Sequence, residues 1–359
     1  MPALVSAINP VHDNEKKMLE KSKVLAVVPV YNGERSAPKA IKSLLRQNYP
    51  YLRIVVIDDR SEDDSASSIL REFCDSSQIT VLRNEKNIGL AQTLNKALEL
   101  VTDEEFLLVL EQDCELLNDS YIMEAFKHFR YSADVAVVSG ESLLPEGKEL
   151  SSMKKIFVHH LCEDVHDASI TEVGFSLLKA DVLRVEVLRK VGGFESSSKW
   201  KLAAEEHIIS HKIRSLGYKI IKDPGLRFTA RWDGQENLWQ NLGKEAIYGR
   251  GLGWALGRRK SDLKVGESKQ LRSKKLNRMI QIQYVFLTVL SAFLFLYDLL
   301  IPLTLLSLAT LIQLGYLCYR ASGLGGVKER LLFFATGFLR SWVYIPNFFF
   351  GFFCGLMLN

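Results

Sequence analysis

Carboxylates cluster at two places in this sequence, and each cluster follows directly on a short apolar run. The pair Asp58–Asp59 follows the run 53–57, and the segment Glu111–Asp113 follows the run 106–110. Where such carboxylates meet a phosphate-binding crevice, a divalent cation is needed between the negative charges. Oxygen ligands favour Mg²⁺ or Mn²⁺ in that position. We therefore expect Mg²⁺ or Mn²⁺ as a cofactor.

The first apolar run lacks the motifs of a dinucleotide site and of a Walker-type phosphate loop. It ends in Pro29–Gly33, where a glycine-rich turn of the form G-x-G-x-x-G does not occur. The sequence also has no G-x-x-x-x-G-K-[ST] segment. Both motifs work by bringing backbone N–H groups close to phosphates, so their absence favours a site built on carboxylates and a metal.

Apolar runs alternate with amphipathic segments through the first 140 residues, which predicts an α/β fold. Strands are predicted at 23–30, 53–57, 79–82, 106–110 and 135–138, and helices at 37–46, 64–73, 89–100 and 119–129. This alternation predicts a parallel, doubly wound sheet. Ligands of such sheets bind beyond the carboxyl ends of the strands. The residues just after each strand should therefore carry the chemistry.

Seven segments resemble, in order, the motifs of family-2 glycosyltransferases. They are VVPVYNG (27–33), SLLRQNYP (43–50), VVIDDRSEDDS (55–65), NEKNIGLAQTLNKAL (84–98), LVLEQDCEL (108–116), VLRKVGGFE (187–195) and EEHIISHKIRSLGYKI (205–220). The resemblance covers roughly residues 23–255. It implies the GT-A fold, a doubly wound, Rossmann-like and mostly parallel sheet that binds a nucleotide-sugar donor.

The resemblance implies roles for individual residues at the donor site. The donor-binding residues would be Pro29, Tyr31, Asn32, Asp58, Asp59, Arg83, Asn87, Glu111 and Gln112. Among them, Tyr31 would line the base pocket and Asp59 would hydrogen-bond the nucleobase. Asp113 would bind the metal as the last residue of the D-x-D motif. Glu111 replaces the first aspartate of that motif, so a metal contact and a ribose contact both stay open for it.

The resemblance also implies a catalytic pair and an acceptor side. Glu205–Glu206 stands at the E-D motif, so Glu206 would be the general base and Glu205 its structural or sugar-binding neighbour. The acceptor side would include Gly192, Gly193, Phe194, Trp239 and Arg250. An interfacial helix is an equal alternative for the segment 235–254. Helix capping is the alternative for Asp58–Asp59, and a solvated helix start is the alternative for Glu205–Glu206.

The C-terminal part of the chain is strongly apolar and predicts a membrane region at 279–359. Two spans are predicted at about 279–297 and 300–319, with a third at about 341–358. Arg340 is costly inside a bilayer, so we place it at an interface. The basic linker 258–278 precedes the first span and predicts a cytoplasmic catalytic domain with membrane lipids as partners.

Four regions follow from these features: a flexible lead-in at 1–21, a GT-A domain at 22–257, the basic linker at 258–278, and the membrane region at 279–359. The five cysteines are scattered, which predicts reduced thiols without a zinc site or a disulfide framework.

The expected function is inverting, metal-assisted transfer of a sugar from a nucleotide-diphosphate sugar to a hydroxyl of a membrane-associated acceptor. Lipid-linked saccharides, glycolipids and polysaccharides are such acceptors, and no nucleic-acid partner is expected. One alternative is a polyprenyl-phosphate (dolichol or undecaprenyl phosphate) monosaccharide synthase. The absence of paired prolines after Asp113 disfavours it. An alternative of another class is a non-catalytic, nucleotide-sugar-binding membrane scaffold.

Overall fold

The computed structural model describes residues 21–143, 156, 168–195, 205–230, 238–257, 269–294, 300–324 and 326–357. The lead-in predicted at 1–21 lies outside these residues except for Lys21, and so does the first half of the basic linker, 258–268. The chain divides into two compact units. The described residues of the first unit lie within 21–143, 169–195 and 209–230, and the remaining ones belong to the second.

Four parallel strands form the first half of the sheet in the first unit. They are β1 (Val24–Val30), β2 (Leu52–Asp58), β3 (Ile79–Arg83) and β4 (Phe106–Leu110). Their spatial order is β3-β2-β1-β4, and all three pairings are parallel. Strands β1 and β4 are buried along their whole length, because apolar runs with no polar alternation need cover on both faces.

Helices follow the strands and bury their apolar faces. They are α1 (Ala37–Leu45), α2 (Ser65–Phe73), α3 (Leu90–Glu99), α4 (Tyr121–Tyr131), α5 (Val185–Lys190) and α6 (Glu205–Ser215). The first four agree with the predicted helices to within two residues. The boundary between the two units falls inside α6, after residue 208.

The second half of the sheet is mixed. It contains β5 (Cys114–Leu116), β6 (Val135–Leu143), β7 (Thr171–Glu172), β8 (Ala180–Arg184) and β9 (Lys219–Ala230). The order continues from β4 as β8-β6-β9-β5, with β7 paired to β9. Strand β8 is antiparallel to both of its neighbours, whereas β6 and β9 are parallel. The α/β fold class is confirmed, and the antiparallel strands β5, β7 and β8 are the departures from a fully parallel sheet.

Aliphatic side chains from both halves of the sheet form one core with α3, α5 and α6. Leu25, Val27, Leu107 and Val109 enter it from β1 and β4, and Ile213 enters it from α6. Burial of this kind contributes about 25 cal/mol per Å² of apolar surface. The core fixes the strands, and the strand ends are thereby fixed relative to each other.

The described residues of the second unit are mainly helical. Its long helices are α7 (Leu238–Gly257), α8 (Lys269–Leu294), α9 (Leu300–Ala321) and α10 (Val327–Met357). Helices α7 and α10 pack closely at glycines. A Cβ at Gly253 would lie 1.9 Å from the Phe348 carbonyl oxygen, and one at Gly351 would lie 2.0 Å from that of Arg250.

Arg340 lies inside α10, fully buried, and forms an ion pair with Glu245 of α7. Arg278 of α8 lies 3.4 Å from the same carboxylate, between its Nη1 and Oε2 of Glu245. The guanidinium of Arg278 also lies over the Tyr344 ring, 3.5 Å from its centroid. Helix α10 therefore continues through Arg340 without a break. It contains both Arg340, which was predicted at an interface, and most of the third span, which was predicted at about 341–358. A buried counter-charge offsets the cost that led to that expectation.

By length and composition, Leu300–Ala321 is the one helix among the described residues that is long and apolar enough to cross a membrane. It covers the span predicted at 300–319. Helix α8 begins at Lys269, ten residues before the span predicted at 279–297, and it includes the C-terminal part of the basic linker.

Candidate functional site

The carboxyl ends of β1, β2 and β3 lie side by side in the first unit. The parallel register pairs Val30 with Asp58, and Asp58 with Arg83. Each of these residues is the last of its strand. The connections that follow the strands therefore start at one edge of the sheet, as predicted for a doubly wound fold.

The connections after β1 and β2 are joined by side-chain hydrogen bonds. The Asn32 N–H donates to Oγ of Ser61 at 2.9 Å, and Oδ1 of Asn32 accepts from the Glu62 N–H at 2.9 Å. The Gly33 N–H donates to Oγ of Ser65 at 2.8 Å. Asn32 has a φ of 52°, in the left-handed region that asparagine tolerates better than most residues. Asn32 is thus a structural link between the two connections.

Asp58 is fully buried at the end of β2 and is paired inside the protein. Its Oδ2 lies 3.0 Å from Nε of Arg83, and its carboxylate accepts from the Ser61 N–H at 3.3 Å. Arg83 also donates from Nη2 to the Ser61 carbonyl at 2.9 Å. Asp58 therefore holds the ends of β2 and β3 together with the connection between them.

Asp59 is buried as well, and three donors of the chain reach its carboxylate. They are the Ile88 N–H at 2.9 Å, the Gly89 N–H at 2.8 Å and Nδ2 of Asn84 at 2.8 Å. Gly89 has a φ of +83°, which a glycine adopts without strain. The structure assigns Asp59 to the connection that leads into α3. Its contact with a nucleobase stays a prediction.

A cleft of about 680 Å³ opens at this edge of the sheet. It is lined by Tyr31, Arg60, Ser61, Glu62, Arg83, Glu85, Lys86 and Asn87. Tyr31, Arg83 and Asn87 were predicted as donor-binding residues, and the Tyr31 side chain is 41% exposed. Pro29 is not a lining residue; it is buried in β1 opposite Ile57.

Sequence reasoning missed five residues of the cleft: Arg60, Ser61, Glu62, Glu85 and Lys86. All of them lie within four residues of the end of β2 or β3. The same rule that selected Asp58 and Arg83 would have found them if it had been extended by a few positions. Arg60 has a φ of 64°, a left-handed conformation that sequence patterns do not reveal for arginine.

Gln112 joins the end of β4 to the connection after β1. Its Oε1 accepts from the Tyr31 N–H at 2.8 Å, and its Nε2 donates to the Tyr31 carbonyl at 2.9 Å. The side chain passes close to Gly33, where an added Cβ would lie 2.2 Å from Oε1 of Gln112. Gln112 thereby fixes Glu111 and Asp113, its chain neighbours, beside the wall of the cleft.

Glu111, Asp113 and Cys114 each offer one ligand atom, and these atoms all lie within 4.8 Å of one another. Burial raises the pKa of the Cys114 thiol well above its usual range, and the charges of Asp113 and Glu111 raise it further. A protonated thiol is a poor ligand, so the donor set is in effect two half-buried carboxylates. Such a set fits Mg²⁺ or Mn²⁺.

The predicted acceptor residues Gly192, Gly193 and Phe194 form a turn after α5. The glycines have φ values of +79° and +72°. The backbone of Phe194 exchanges two hydrogen bonds of 2.8 Å with the Asn95 side chain, and its own side chain is buried in the core. The side chain of Phe194 packs inside the first unit, and its place on the acceptor side stays a prediction. The acceptor role of the glycines stays a prediction.

The other predicted residues belong to the second unit. Glu205 and Glu206 form the first turn of α6, and Oε1 of Glu206 lies 3.9 Å from Nε2 of His207. Trp239, in the first turn of α7, is 74% exposed, whereas Arg250 lies where α7 packs on α10. The catalytic role of the glutamates and the acceptor role of Trp239 and Arg250 stay predictions.

Residues 25–179 match the family model described as Glycosyl transferase family 2. The matched segment contains the four parallel strands, the cleft and the acidic segment Glu111–Asp113. The chain carries a family-2 glycosyltransferase domain. The resemblance to family-2 glycosyltransferases is thereby confirmed, and the match contains five of the seven motifs; those at 187–195 and 205–220 lie beyond it.

Curated relatives align with parts of the glycosyltransferase domain. The glycosyltransferase GlyA of Streptococcus pneumoniae is 31% identical over 121 residues, which are 33% of this chain and 17% of that protein. An Escherichia coli enzyme named UDP-Glc:alpha-D-GlcNAc-diphosphoundecaprenol beta-1,3-glucosyltransferase WfgD is 36% identical over 90 residues, 25% of this chain and 34% of the relative. The GalNAc(5)-diNAcBac-PP-undecaprenol beta-1,3-glucosyltransferase of Campylobacter jejuni is 33% identical over 97 residues, which are 27% of this chain and 31% of that relative. The alignments thus span 17% to 34% of the lengths of these relatives.

Among solved structures, the mannosyltransferase PcManGT of Pyrobaculum calidifontis, in complex with GDP-Man and Mn²⁺, superposes with a TM-score of 0.55. It covers 94% of this chain and 87% of its own, at 16% sequence identity. At this identity the likeness concerns the fold, and it agrees with the GT-A fold expected for the glycosyltransferase domain.

Proposed function

We propose that the protein is an inverting glycosyltransferase that moves a sugar from a nucleotide-diphosphate sugar to a hydroxyl of a membrane-associated, lipid-linked saccharide. The observation that carries the proposal is the link through Gln112. It places a pair of carboxylates that suits a divalent cation beside a cleft of about 680 Å³ in a family-2 domain. A nucleotide diphosphate needs both features, a cleft for the nucleoside and a cation for the phosphates.

In the proposed complex, the cleft holds the nucleoside and the acidic segment lies near the diphosphate. The Tyr31 ring offers an exposed aromatic face for the base. Arg60, Arg83 and Lys86 give the cleft three cationic groups against the two carboxylates of Glu62 and Glu85. Arg83 is paired with the buried Asp58, so Arg60 and Lys86 are the two cations of the cleft that a phosphorylated ligand can engage.

Asp113 and Glu111 would hold Mg²⁺ or Mn²⁺. Bound there, the cation supplies charge neutralisation for the departing diphosphate. The segment 111–113 is fixed at Gln112 by the Tyr31 backbone, so its carboxylates are oriented before the donor arrives. Such preorganisation makes electrostatic stabilisation effective, because little reorganisation is needed during the reaction.

The transfer itself is a single displacement. The acceptor oxygen forms a bond to the anomeric carbon while the bond from that carbon to the diphosphate oxygen breaks with its electron pair. We assign to Glu206 the general base that takes the hydroxyl proton, with Glu205 as its neighbour in the first turn of α6. One displacement inverts the configuration at the anomeric carbon.

The lipid-linked acceptor is supported by two relatives and by one helix. The names of the Escherichia coli and Campylobacter jejuni relatives describe glucosyl transfer to saccharides on diphosphoundecaprenol or PP-undecaprenol. Helix α9 is long and apolar enough to hold the protein at a membrane. The basic residues of the segment 258–278 favour an integral membrane protein with the glycosyltransferase domain on the cytoplasmic side.

The proposal is tested with purified full-length protein, Mn²⁺, membrane lipid extract and a panel of UDP-, GDP-, ADP-, CMP- and dTDP-sugars. We expect consumption of at least one donor, with the sugar recovered on a lipid fraction by mass spectrometry. Binding of a nucleotide without consumption of any donor would favour the non-catalytic scaffold and reject the enzyme.

The Glu206→Gln variant distinguishes the two classes of acceptor. A hydroxyl acceptor needs a base, so this variant should keep donor binding and lose transfer by about 100-fold or more. Full transfer by Glu206→Gln would favour a polyprenyl phosphate acceptor, which attacks as an anion. Glu195→Gln is the matched control, because Glu195 is paired with Lys212 at 3.0 Å and has no proposed part in proton transfer.

A further inference from the structure

One fully buried carboxylate of the first unit, Asp181, has no part in the proposed reaction. It lies in β8, where the register pairs it with Val109 of β4 on one side and Ser139 of β6 on the other. A carboxylate in the middle of a sheet is costly unless the chain supplies donors for it. Its partners therefore indicate why the position is not apolar.

The donors to Asp181 come from the segment just before β8, which we name the 173–179 loop. Oδ2 of Asp181 accepts from Oγ of Ser176 at 2.5 Å and from the Leu178 N–H at 2.6 Å. Oγ of Ser176 in turn accepts from the Leu178 N–H at 3.2 Å. The Ser176 N–H donates to Oγ of Ser210 in α6 at 3.0 Å. The loop is thus tied to β8 and to α6 by buried bonds.

Leu178 adopts a conformation that the loop must maintain. Its φ is 54°, in the left-handed region that leucine rarely occupies, and its side chain is buried. A residue keeps such a conformation only where its surroundings determine it. The hydrogen bond from the Leu178 N–H to Asp181 is the contact that acts directly on this residue.

The last residue of the loop reaches the acidic segment of the donor site. The Lys179 carbonyl accepts from the Glu111 N–H at 2.9 Å. The next carbonyl, of Ala180, accepts from the Tyr121 hydroxyl at 2.5 Å. The backbone of Glu111 is therefore held on one side by the 173–179 loop, and its neighbour Gln112 is held on the other by Tyr31.

We propose that Asp181 is a positioning residue of the donor site, which fixes the 173–179 loop so that Lys179 holds the backbone of Glu111 and orients the metal-binding carboxylates. This inference rests on the proposed function. Asp181 touches neither donor nor cation and acts through the loop. Removing its acceptor leaves the Ser176 hydroxyl and the Leu178 N–H without their common partner, so the loop and the Glu111 backbone both loosen.

The test uses the full-length Asp181→Leu variant, in which an apolar side chain of similar size replaces the carboxylate and removes the acceptor of both hydrogen bonds. Hydrogen exchange followed by mass spectrometry should show faster exchange in the 173–179 loop and at residues 111–113. Electron paramagnetic resonance of Mn²⁺, titrated separately with UDP, GDP, ADP and dTDP, should show a dissociation constant raised about tenfold, a typical effect of losing support around a metal ligand. The KM for the donor should rise more than kcat falls.

Glu104→Gln is the matched control at the opposite end of β4. Glu104 is also a buried carboxylate, with Nε of Arg53 at 2.6 Å and the Thr102 N–H at 2.8 Å. This variant should lower Tm comparably and leave Mn²⁺ binding unchanged. If Asp181→Leu does not fold, Ser176→Ala removes one of the two donors and should give a smaller change in the same direction.

Three outcomes overturn the inference. They are unchanged exchange in the 173–179 loop of Asp181→Leu, unchanged Mn²⁺ affinity despite faster exchange, and equal loss of Mn²⁺ affinity in Glu104→Gln. If wild-type protein does not bind Mn²⁺ in the presence of any of UDP, GDP, ADP and dTDP, the proposed function fails and the inference fails with it. Mn²⁺ binding by wild-type protein that Asp181→Leu retains in full overturns the inference alone.

Discussion

Two acidic segments follow adjacent parts of the same sheet, and the structure uses them differently. Asp58 and Asp59, after β2, are buried and accept hydrogen bonds from the connections around them. Glu111 and Asp113, after β4, are half-buried, and their ligand atoms lie close enough together to share one cation. The first segment organises the edge of the sheet, and the second faces the space where a ligand can bind.

The difference between the two segments shows that residue type and strand-end position do not by themselves identify a ligand-binding carboxylate. The carboxylates of the first segment are buried and those of the second are half-buried, and that difference is set by the fold. Three donors reach Asp59 from residues 84–89. Removing a carboxylate of the first kind should cost stability, and removing one of the second kind should cost activity.

The largest expected effect is on Asp113. In Asp113→Ala, donor-dependent Mn²⁺ binding should be lost and transfer should fall by about 100-fold or more, because a main ligand of the cation is removed. Isothermal titration with Mn²⁺ and nucleotide, together with initial rates, measures both. Asp119→Ala is the control, since Asp119 is exposed and its carboxylate lies 3.6 Å from Nε of Arg46. Retained Mn²⁺ binding in Asp113→Ala would reject the assignment.

The next largest effect is a loss of protein stability when a carboxylate of the first segment is removed. Asp59→Ala leaves the Ile88 and Gly89 N–H groups without their acceptor, which should lower the free energy of unfolding by about 2–3 kcal/mol. For a domain of this size that corresponds to a fall in Tm of roughly 5–10 °C. Thermal unfolding followed by intrinsic fluorescence measures it. An unchanged Tm with lost nucleotide binding would instead make Asp59 a direct ligand of the nucleobase.

A third experiment separates Cys114 from the cation site. Burial, followed by the charges of Asp113 and Glu111, raises the pKa of its thiol, so the thiol stays protonated and unreactive at pH 8. Iodoacetamide should label the exposed Cys74 of the native protein and spare Cys114, which should react only after denaturation. Peptide mass spectrometry gives both labelling ratios. Rapid native labelling of Cys114 would place the thiol at the ligand-binding surface.

The smallest expected effect concerns the link between the second acidic segment and the connection after β1. Gly33→Ala places a Cβ 2.2 Å from Oε1 of Gln112 and should cost about 1 kcal/mol, because the flexible end of that side chain can shift. Gln112→Ala removes both hydrogen bonds to Tyr31 and should cost about 1–2 kcal/mol. The double variant should be less destabilised than the sum, because the clash is then absent. Strict additivity of the Tm shifts would contradict this contact.

The parallel half of the fold could be predicted from the sequence because its strands are continuous apolar runs. In the mixed half only the start of β6 was predicted, at 135–138. Strand β9 contains Asp223, Pro224 and Gly225, and β8 has a buried aspartate, so neither has the pattern of an apolar run. Both strands are stabilised by partners that are distant in sequence. The same limit applies to Phe194, whose burial depends on packing against residues about 100 positions away.

Arg340 is a second position at which a prediction from the local sequence differs from the structure. Its charge inside an apolar segment predicts a boundary, since an isolated guanidinium is costly there. The tertiary structure supplies Glu245, 95 positions earlier in the chain, and the helix continues through Arg340. A local pattern gives the cost of a charge, and only the fold gives the partner that offsets it.

By itself, the sequence determined the α/β class, the strand-end positions of the carboxylates and the order of the family-2 motifs. These are local properties, set by apolar periodicity and by the residues that follow each strand. Only the tertiary structure decided that Asp58 and Asp59 are buried, that Gln112 joins two strand ends, and that the Lys179 carbonyl reaches the backbone of Glu111. The physical reason is that hydrogen bonds between residues far apart in the sequence depend on packing, and packing is a property of the whole unit.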